Sequence, residues 1–429
     1  MKRTPRAIVL AYSIGSIGTG IYLTAPSVLL LYYLTQVLGV SPALAGLAVF
    51  IPRLWDLATD PYMGAVSDRT RSRFGRRRPY LLAGAVLTAL SFGFLFSAPQ
   101  LEGELANFVY VLIIYILSAT AYTIFAVPYL SMPAEMSEDA DERASIMAYR
   151  MSFAMTGVLA GAALAPALVA YFGGGRAGFS AMSWVLAAVC AVTMLAAFSG
   201  TARAPDITSG KRTNGERRLL APFRHPGFSL LAAAYFLQLA GLGAFTGAVP
   251  YMVTQVMARG ESDISTVFLA LLGGTLVSLF LWERLARRFG KMRAYFAAAF
   301  VTLVGAVAIL PVVGPQSWRA LIVCTSAVGF GFGGLQLLPF AMLTDLIQEA
   351  RRKGDDAAGA FTGVWTAMEK GGLAVGPLAV GLILSIGGFA AGAAEQTTGA
   401  VRAVRLALAF APSLFIALSL PAILKFNRI

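Results

Sequence analysis

The stretch Arg53 to Pro79 reads RLWDLATDPYMGAVSDRTRSRFGRRRP. Its first half sets Arg53, Asp56 and Asp60 inside a long apolar run, and its second half is a short, densely basic loop. Charge within an apolar run, followed by a cluster of cations, is the pattern of a membrane helix that leaves the bilayer on a defined side. The rest of the chain agrees: of 429 residues 58% are hydrophobic and 13% charged, with a mean hydropathy of +0.72. That is not the composition of a soluble domain. Apolar runs of about 20 residues, long enough to cross the hydrocarbon core as helix, recur along the chain and predict an all-α polytopic membrane protein.

A net charge of +13 would suggest a nucleic-acid partner in a soluble chain. Here the cations sit in short loops between apolar runs, so they read as a topology signal and no nucleic acid is expected. Cys190 and Cys324 fall within predicted helices and imply no disulfide. Lys2, Arg3 and Arg6 precede an apolar run too long for a signal-peptide core, so the first helix is expected to remain as an anchor.

The runs predict twelve transmembrane helices, near 8–34, 41–67, 80–98, 106–132, 145–172, 178–200, 227–257, 263–283, 294–312, 318–347, 359–387 and 401–424. Alternate loops hold the cations: Lys2, Arg3 and Arg6; Arg69 to Arg78; Arg203 to Arg224; Arg284 to Arg293; Arg351 to Lys353; Lys425 and Arg428. The other loops hold scattered cations such as Arg176, Arg259 and Arg319. Both termini are therefore expected in the cytoplasm, in a bacterial inner membrane. The acidic loop Glu135 to Glu142 does not alter this, because acids contribute little to orientation. Residues 201–224, with Pro205, Gly210, Lys211, Asn214, Gly215 and Pro222, read as a linker between six-helix halves, 1–200 and 225–429. His225, the only histidine, lies at the margin of the seventh helix and is expected at the surface.

An internal repeat supports this division. DRTRSRFGRRR from Asp68 aligns without a gap on ERLARRFGKMR from Glu283. The acid, the next arginine (Arg69, Arg284) and an Arg-Phe-Gly triplet (Arg73, Phe74, Gly75; Arg288, Phe289, Gly290) recur. Val127-Pro128-Tyr129 is echoed by Leu338-Pro339-Phe340. Two pseudo-symmetric six-helix bundles, as in carriers that rock about a midplane site, account for the repeat. The same register carries Asp56 and Asp60 onto Leu271 and Thr275, so the acid pair occurs once.

Arg53, Asp56 and Asp60, spaced i, i+3, i+7, share one helix face. An ionised carboxylate at mid-membrane costs at least about 2.5 kcal/mol, and a cation held between two acids would offset that cost and their repulsion. Na⁺, Li⁺ or H⁺ fits such a pair. The bland alternative makes Asp60-Pro61 a helix break and Asp56 a fixed partner of Arg53. Lys370, with Glu369 beside it, reads as a cavity cation or a structural pair. Arg150 reads as a solute contact or a gate. The basic loop, with Asp68 and Gly75 and its copy at Glu283 and Gly290, suits a latch between helices that biases the bundles, with Arg53 as the charge inside the membrane. Tyr122 and Trp365 are candidates to line a cavity. One histidine, no thiol pair and no nucleophile–base spacing leave no catalytic constellation. No enzyme and no cofactor are expected.

WDLATDPYMGAVSDRTRSRFGRRRP resembles the glycoside-pentoside-hexuronide:cation symporters of the major facilitator superfamily. The likeness continues through YTIFAVPYLSMPAEM (122–136), ERASIMAYRM (142–151), LQLLPFAMLTDL (335–346) and Lys370. The resemblance implies a major facilitator fold and a coupling cation, Na⁺ or H⁺, at Asp56 and Asp60. Thr123 would be a further oxygen ligand, and Thr59 stands where sugar carriers hold an asparagine important for sodium. Lys370 would lie close to the acids and Arg150 would border the substrate cavity. Two sugar-binding acids of melibiose-type carriers align with Gly20 and Ala126, the lysine before the first with Thr19 and an aromatic platform with Leu130.

The resemblance makes a glycoside the expected solute, held by other polar groups such as Thr24, Gln238, Thr254 or Gln336. The stripped positions favour instead an amphipathic or anionic solute, since the Val-Pro-Tyr and Ala-Tyr-Arg-Met segments also resemble animal sodium-dependent lysophosphatidylcholine carriers. A non-transporting receptor that kept the fold is the rival from another class. Membrane lipids are the other expected partners, and a monomer is expected.

Overall fold

The computed structural model describes residues 4–137, 139–204, 221–312, 316–352 and 358–427. Most of the linker read at 201–224 lies outside the described residues, as do Lys2, Arg3, Lys353 and Arg428. The described chain is helical, with no strand. This is the solution a bilayer imposes, since a helix pairs its backbone N–H and C=O groups within one segment.

Six rods make up the first half. They are α1 (Arg6–Tyr32, extended by a π turn Tyr33–Val37), α2 (Pro42–Arg69), α3 (Arg78–Leu95) and α4 (Glu104–Met136). Then come α5 (Ala140–Leu159, continued through a π turn Ala160–Leu164 and Ala165–Tyr171) and α6 (Gly175–Gly200). The second half has α7 (Pro226–Tyr251, extended by a π turn Met252–Val256), α8 (Glu261–Phe289) and α9 (Lys291–Val312). It closes with α10 (Trp318–Arg352), α11 (Ala358–Ile386) and α12 (Thr398–Phe426).

Eleven of the rods are long and apolar enough to span a membrane. The twelfth, α2, falls short because Arg53, Asp56 and Asp60 lower its hydropathy. Several helices outrun their apolar stretch: α8 continues past 283 to Phe289 and α10 past 347 to Arg352. Hydropathy senses the hydrocarbon thickness, whereas the hydrogen-bond ladder continues into the polar ends, where Arg287 pairs with Glu283 one turn back at 2.5 Å.

The chain forms two compact units, residues 1–40 with 51–214, and 41–50 with 215–429. In the first, α1 packs on α5 and α6, and α3 on α4 and α6. In the second, α7 packs on α11 and α12, and α9 on α10 and α12. The pairings match after a shift of six helices. Buried aromatic residues fill both cores. Tyr33, Phe96 and Phe179 meet in the first, and Phe228, Tyr235, Trp282 and Trp365 belong to the second.

The structure exposes a repeat that the sequence reading missed. Thr35-Gln36-Val37 and Thr254-Gln255-Val256 each sit in a π turn at the end of the first helix of a unit. Thr35 donates to the Leu31 carbonyl at 3.1 Å and Thr254 to Pro250 at 2.9 Å. The Leu38 and Met257 amides reach back to Tyr33 and Met252, both at 3.1 Å. The next residue is left-handed in both copies, Gly39 at φ 69° and Ala258 at φ 50°. Ala258 is the only non-glycine with positive φ among the described residues.

Candidate functional site

α2 runs unbroken from Pro42 to Arg69, through Pro52 and Pro61. The alternative of a helix break at Asp60-Pro61 is therefore not what the chain does. Pro61 has no N–H to give, so the Leu57 carbonyl loses its intrahelical bond while the helix continues. Asp56 is buried, 1% exposed, with Arg53 Nη1 at 3.8 Å from its carboxylate. Arg53 is itself 8% exposed and stands over the Tyr115 ring of α4, 5.8 Å from its centroid.

Asp60 lies one turn further along and is partly buried. The Thr123 hydroxyl, from α4, donates to its Oδ1 at 2.8 Å. Trp55 reaches the same helix, its Nε1 donating to Thr120 at 2.9 Å. Side chains of α2 and α4 thus join Asp56, Asp60, Arg53 and Thr123 within one unit. Thr59 turns its hydroxyl back to the Trp55 carbonyl at 3.1 Å, as β-hydroxyl residues in helices commonly do. Two carboxylates and a hydroxyl form a hard oxygen donor set suited to Na⁺ or, on the acids alone, to a proton.

Arg150 is partly buried in α5 and lies over the Tyr129 ring, 5.9 Å from its centroid. Its Nε is buried without a hydrogen-bond partner, and among the described residues no carboxylate pairs with it. Tyr122 is stacked on Tyr22 with centroids 4.3 Å apart, and Ala126 is buried one turn on.

Two residues expected to line a cavity are placed in packing instead. Gly20 marks the α1–α5 crossing, where a Cβ would stand 2.5 Å from the Ala154 carbonyl oxygen and 2.9 Å from Gly157. No side chain fits there, so an acid at this position is incompatible with the crossing. Trp365 is 3% exposed and stacks on Tyr235 at 4.2 Å within the core of the second unit. Lys370 and Glu369 are partly buried neighbours in α11.

The basic loop is organised inside the first unit. Arg77 is buried and donates to Ser67 Oγ at 2.5 Å, Asp68 Oδ1 at 2.5 Å and Glu135 Oε1 at 2.8 Å. Arg76 also pairs with Glu135. These contacts tie the end of α2 and the start of α3 to the end of α4. Arg69 and Arg73 are exposed, and Arg53 sits 15 residues before Asp68, about 22 Å along the helix, so it belongs with the acids and not with the loop. In the second copy, Glu283 meets Arg287 on the surface and Lys291, the counterpart of Arg76, pairs with Asp345 of α10 at 2.6 Å. Arg284 and Gly290 are exposed and Arg288 lies over Phe289. Gly75 at φ 93° and Gly290 at φ 90° adopt the left-handed turn. A Cβ at either would touch nothing within 4 Å, so the glycine is needed for its backbone angle.

The isoprimeverose transporter of Lactiplantibacillus pentosus is 25% identical over 432 residues, covering 97% of this chain and 88% of its own. The sodium-dependent lysophosphatidylcholine symporter 1-A of Danio rerio is 24% identical over 453 residues, covering 96% and 84%. The inward-facing, occupied crystal structure of a bacterial homologue of the human lysosomal transporter Spinster superposes with a TM-score of 0.73 at 13% identity, over 99% of this chain and 96% of that one; at that identity it shows the fold alone. A family model described as MFS/sugar transport protein matches residues 11–427. The chain belongs to that family of integral membrane transporters, whose members move solutes and are not enzymes.

Proposed function

We propose that the protein is a cation-coupled symporter of a glycoside-like solute, working by alternating access in a bacterial inner membrane with both termini in the cytoplasm. Asp56 and Asp60 hold the coupling ion, Na⁺ or H⁺, with the Thr123 hydroxyl as a further oxygen ligand. The bundles 1–200 and 225–429, joined by the linker 201–224, are the bodies that alternate. The observation that carries this reading is a membrane helix bearing two acids on one face, one buried beside Arg53 and one held by a hydroxyl from α4. Ions placed so expensively are retained where they move something. In this reading Arg53 balances Asp56 when no cation is bound, and a bound cation takes over that charge.

A second reading has its own support. Arg150 has no carboxylate partner among the described residues, and Gly20 and Ala126 offer no acceptor for a sugar hydroxyl. That favours an amphipathic or anionic solute such as a lysophospholipid. Purified protein in proteoliposomes, given imposed Na⁺ or proton gradients, decides between these: uptake of labelled disaccharides supports the first, and uptake of a lysophospholipid the second. Binding without flux under any gradient makes the protein a receptor. If Asp56→Asn and Asp60→Asn, each inserted normally, leave ion-driven uptake unchanged, the coupling role is wrong.

A further inference from the structure

The second unit carries an intramembrane acid of its own. Glu369 lies in the apolar span of α11, partly exposed, seven residues before Gly376. A Cβ on Gly376 would run into Ala244, Gly243 and Ala240 of α7, so this glycine marks the α11–α7 crossing. Gly157 marks the α5–α1 crossing in the same way, against Ile17 and Gly20. Arg150 stands seven residues before Gly157. Glu369 therefore occupies in the second unit the place that Arg150 occupies in the first, with the opposite charge.

The neighbours correspond as well. Arg150 lies over Tyr129, whose ring stacks on Tyr12 from α1 at 4.5 Å, and Glu369 lies one turn beyond Trp365, whose ring stacks on Tyr235 from α7 at 4.2 Å. The Tyr235 hydroxyl donates to Gln336 Oε1 of α10 at 3.0 Å. This leaves the Gln336 amide nitrogen as a free donor on the far side of Tyr235, whose ring stacks on Trp365 one turn before Glu369. Among the described residues the Glu369 carboxylate has no hydrogen bond or salt bridge, and the adjacent Lys370 points about 100° round the same helix. An intramembrane acid with no hydrogen bond or salt bridge marks a functional site.

We infer that Glu369, with Gln336 held by Tyr235, is a solute-binding subsite of the second unit that accepts hydrogen bonds from the hydroxyl groups of a sugar-like solute. A carboxylate rejects a phosphate or carboxylate at this point. A quaternary ammonium is disfavoured for another reason: Trp365 and Tyr235, 3% and 4% exposed, spend their faces on each other and leave no open aromatic cage. An acceptor next to an amide donor is instead the pairing that reads neighbouring hydroxyls.

The inference rests on the carrier reading above, and equilibrium binding separates the two. The full-length protein in nanodiscs is titrated with cellobiose, melibiose and a xylosyl-glucose disaccharide, and separately with a lysophospholipid and with choline, each with and without Na⁺. The expected result is saturable binding of at least one disaccharide, weakened on the order of tenfold to a hundredfold in Glu369→Gln, the loss for a hydrogen bond to a charged group. Gln336→Ala weakens it less, and lysophospholipid binding does not fall in Glu369→Gln. Wild-type disaccharide affinity in a folded Glu369→Gln variant overturns the inference, as does binding of choline or the lysophospholipid that is lost in that variant. So does the absence of any disaccharide binding to the wild type. The coupling role of Asp56 and Asp60 survives each of these outcomes, and is tested separately by gradient-driven uptake in the Asp56 and Asp60 variants.

Discussion

The two six-helix units solve the same packing problem and differ at the contact between their second and fourth helices. In the first, α2 brings Arg53, Asp56 and Asp60 toward α4, which answers with Tyr115 over Arg53 and Thr123 on Asp60. In the second, α8 and α10 close on each other through glycines. A Cβ on Gly329 would strike Leu271, one on Gly274 would strike Ser326, and one on Gly333 would strike Ser278 and Thr275. Aligned on Pro128 and Pro339, Gly329 and Gly333 take the places of Ser118 and Tyr122. Leu271 and Thr275 stand where the loop register puts Asp56 and Asp60, and Thr275 spends its hydroxyl on the Leu271 and Gly329 carbonyls at 2.9 and 3.0 Å. Side chains occupy the α4 positions that face the acids of α2, while glycines at the matching positions of α10 let it close on α8. One architecture thus yields a polar contact in one half and a close glycine crossing in the other.

The largest effect that would break this contrast is on coupling. Asp56→Asn and Asp60→Asn are each expected to lower ion-driven uptake by about a hundredfold, the scale of removing one partner from a buried charged site. Placing an acid in the other half, as Thr275→Asp, should restore nothing, because α8 and α10 leave no room for a bound ion. Recovery of ion dependence in Asp60→Asn/Thr275→Asp would show that the halves are interchangeable.

The basic loops should differ in stability. Glu135→Gln leaves buried Arg77 with one fewer anionic partner and is expected to cost about 3 kcal/mol, seen as a lower melting temperature in detergent. Glu283→Gln removes an exposed pair and should cost no more than about 0.5 kcal/mol. Equal losses would mean that the second loop is anchored as firmly as the first.

The glycine crossings test the symmetry directly. Gly157→Ala and Gly376→Ala each push a methyl group into a neighbouring helix and should each cost about 2 kcal/mol, with similar shifts in melting temperature. A smaller effect than at the crossings is expected at the π turns. Ala258→Gly relieves a left-handed alanine and should stabilise by about 1 kcal/mol, while Gly39→Ala should destabilise by a similar amount. No gain in Ala258→Gly would mean that the turn relaxes its backbone at little cost.

Much of this was legible in the residues. Apolar run length gave the number and order of the helices, because a spanning helix has no substitute in a bilayer. The Asp68 and Glu283 loops gave the internal repeat, because a left-handed glycine and paired charges leave a readable order. The i, i+3, i+7 spacing alone puts Arg53, Asp56 and Asp60 on one helix face. What spacing could not supply was which partner each charge meets. Thr123 on Asp60, Glu135 on Arg77, Gly20 closed against α5, and Glu369 as the counterpart of Arg150 all depend on helices that are distant in sequence. Apolarity determines that a helix enters the membrane. How closely two helices approach is decided by the small and large side chains at their crossing, and only the packed structure brings those together.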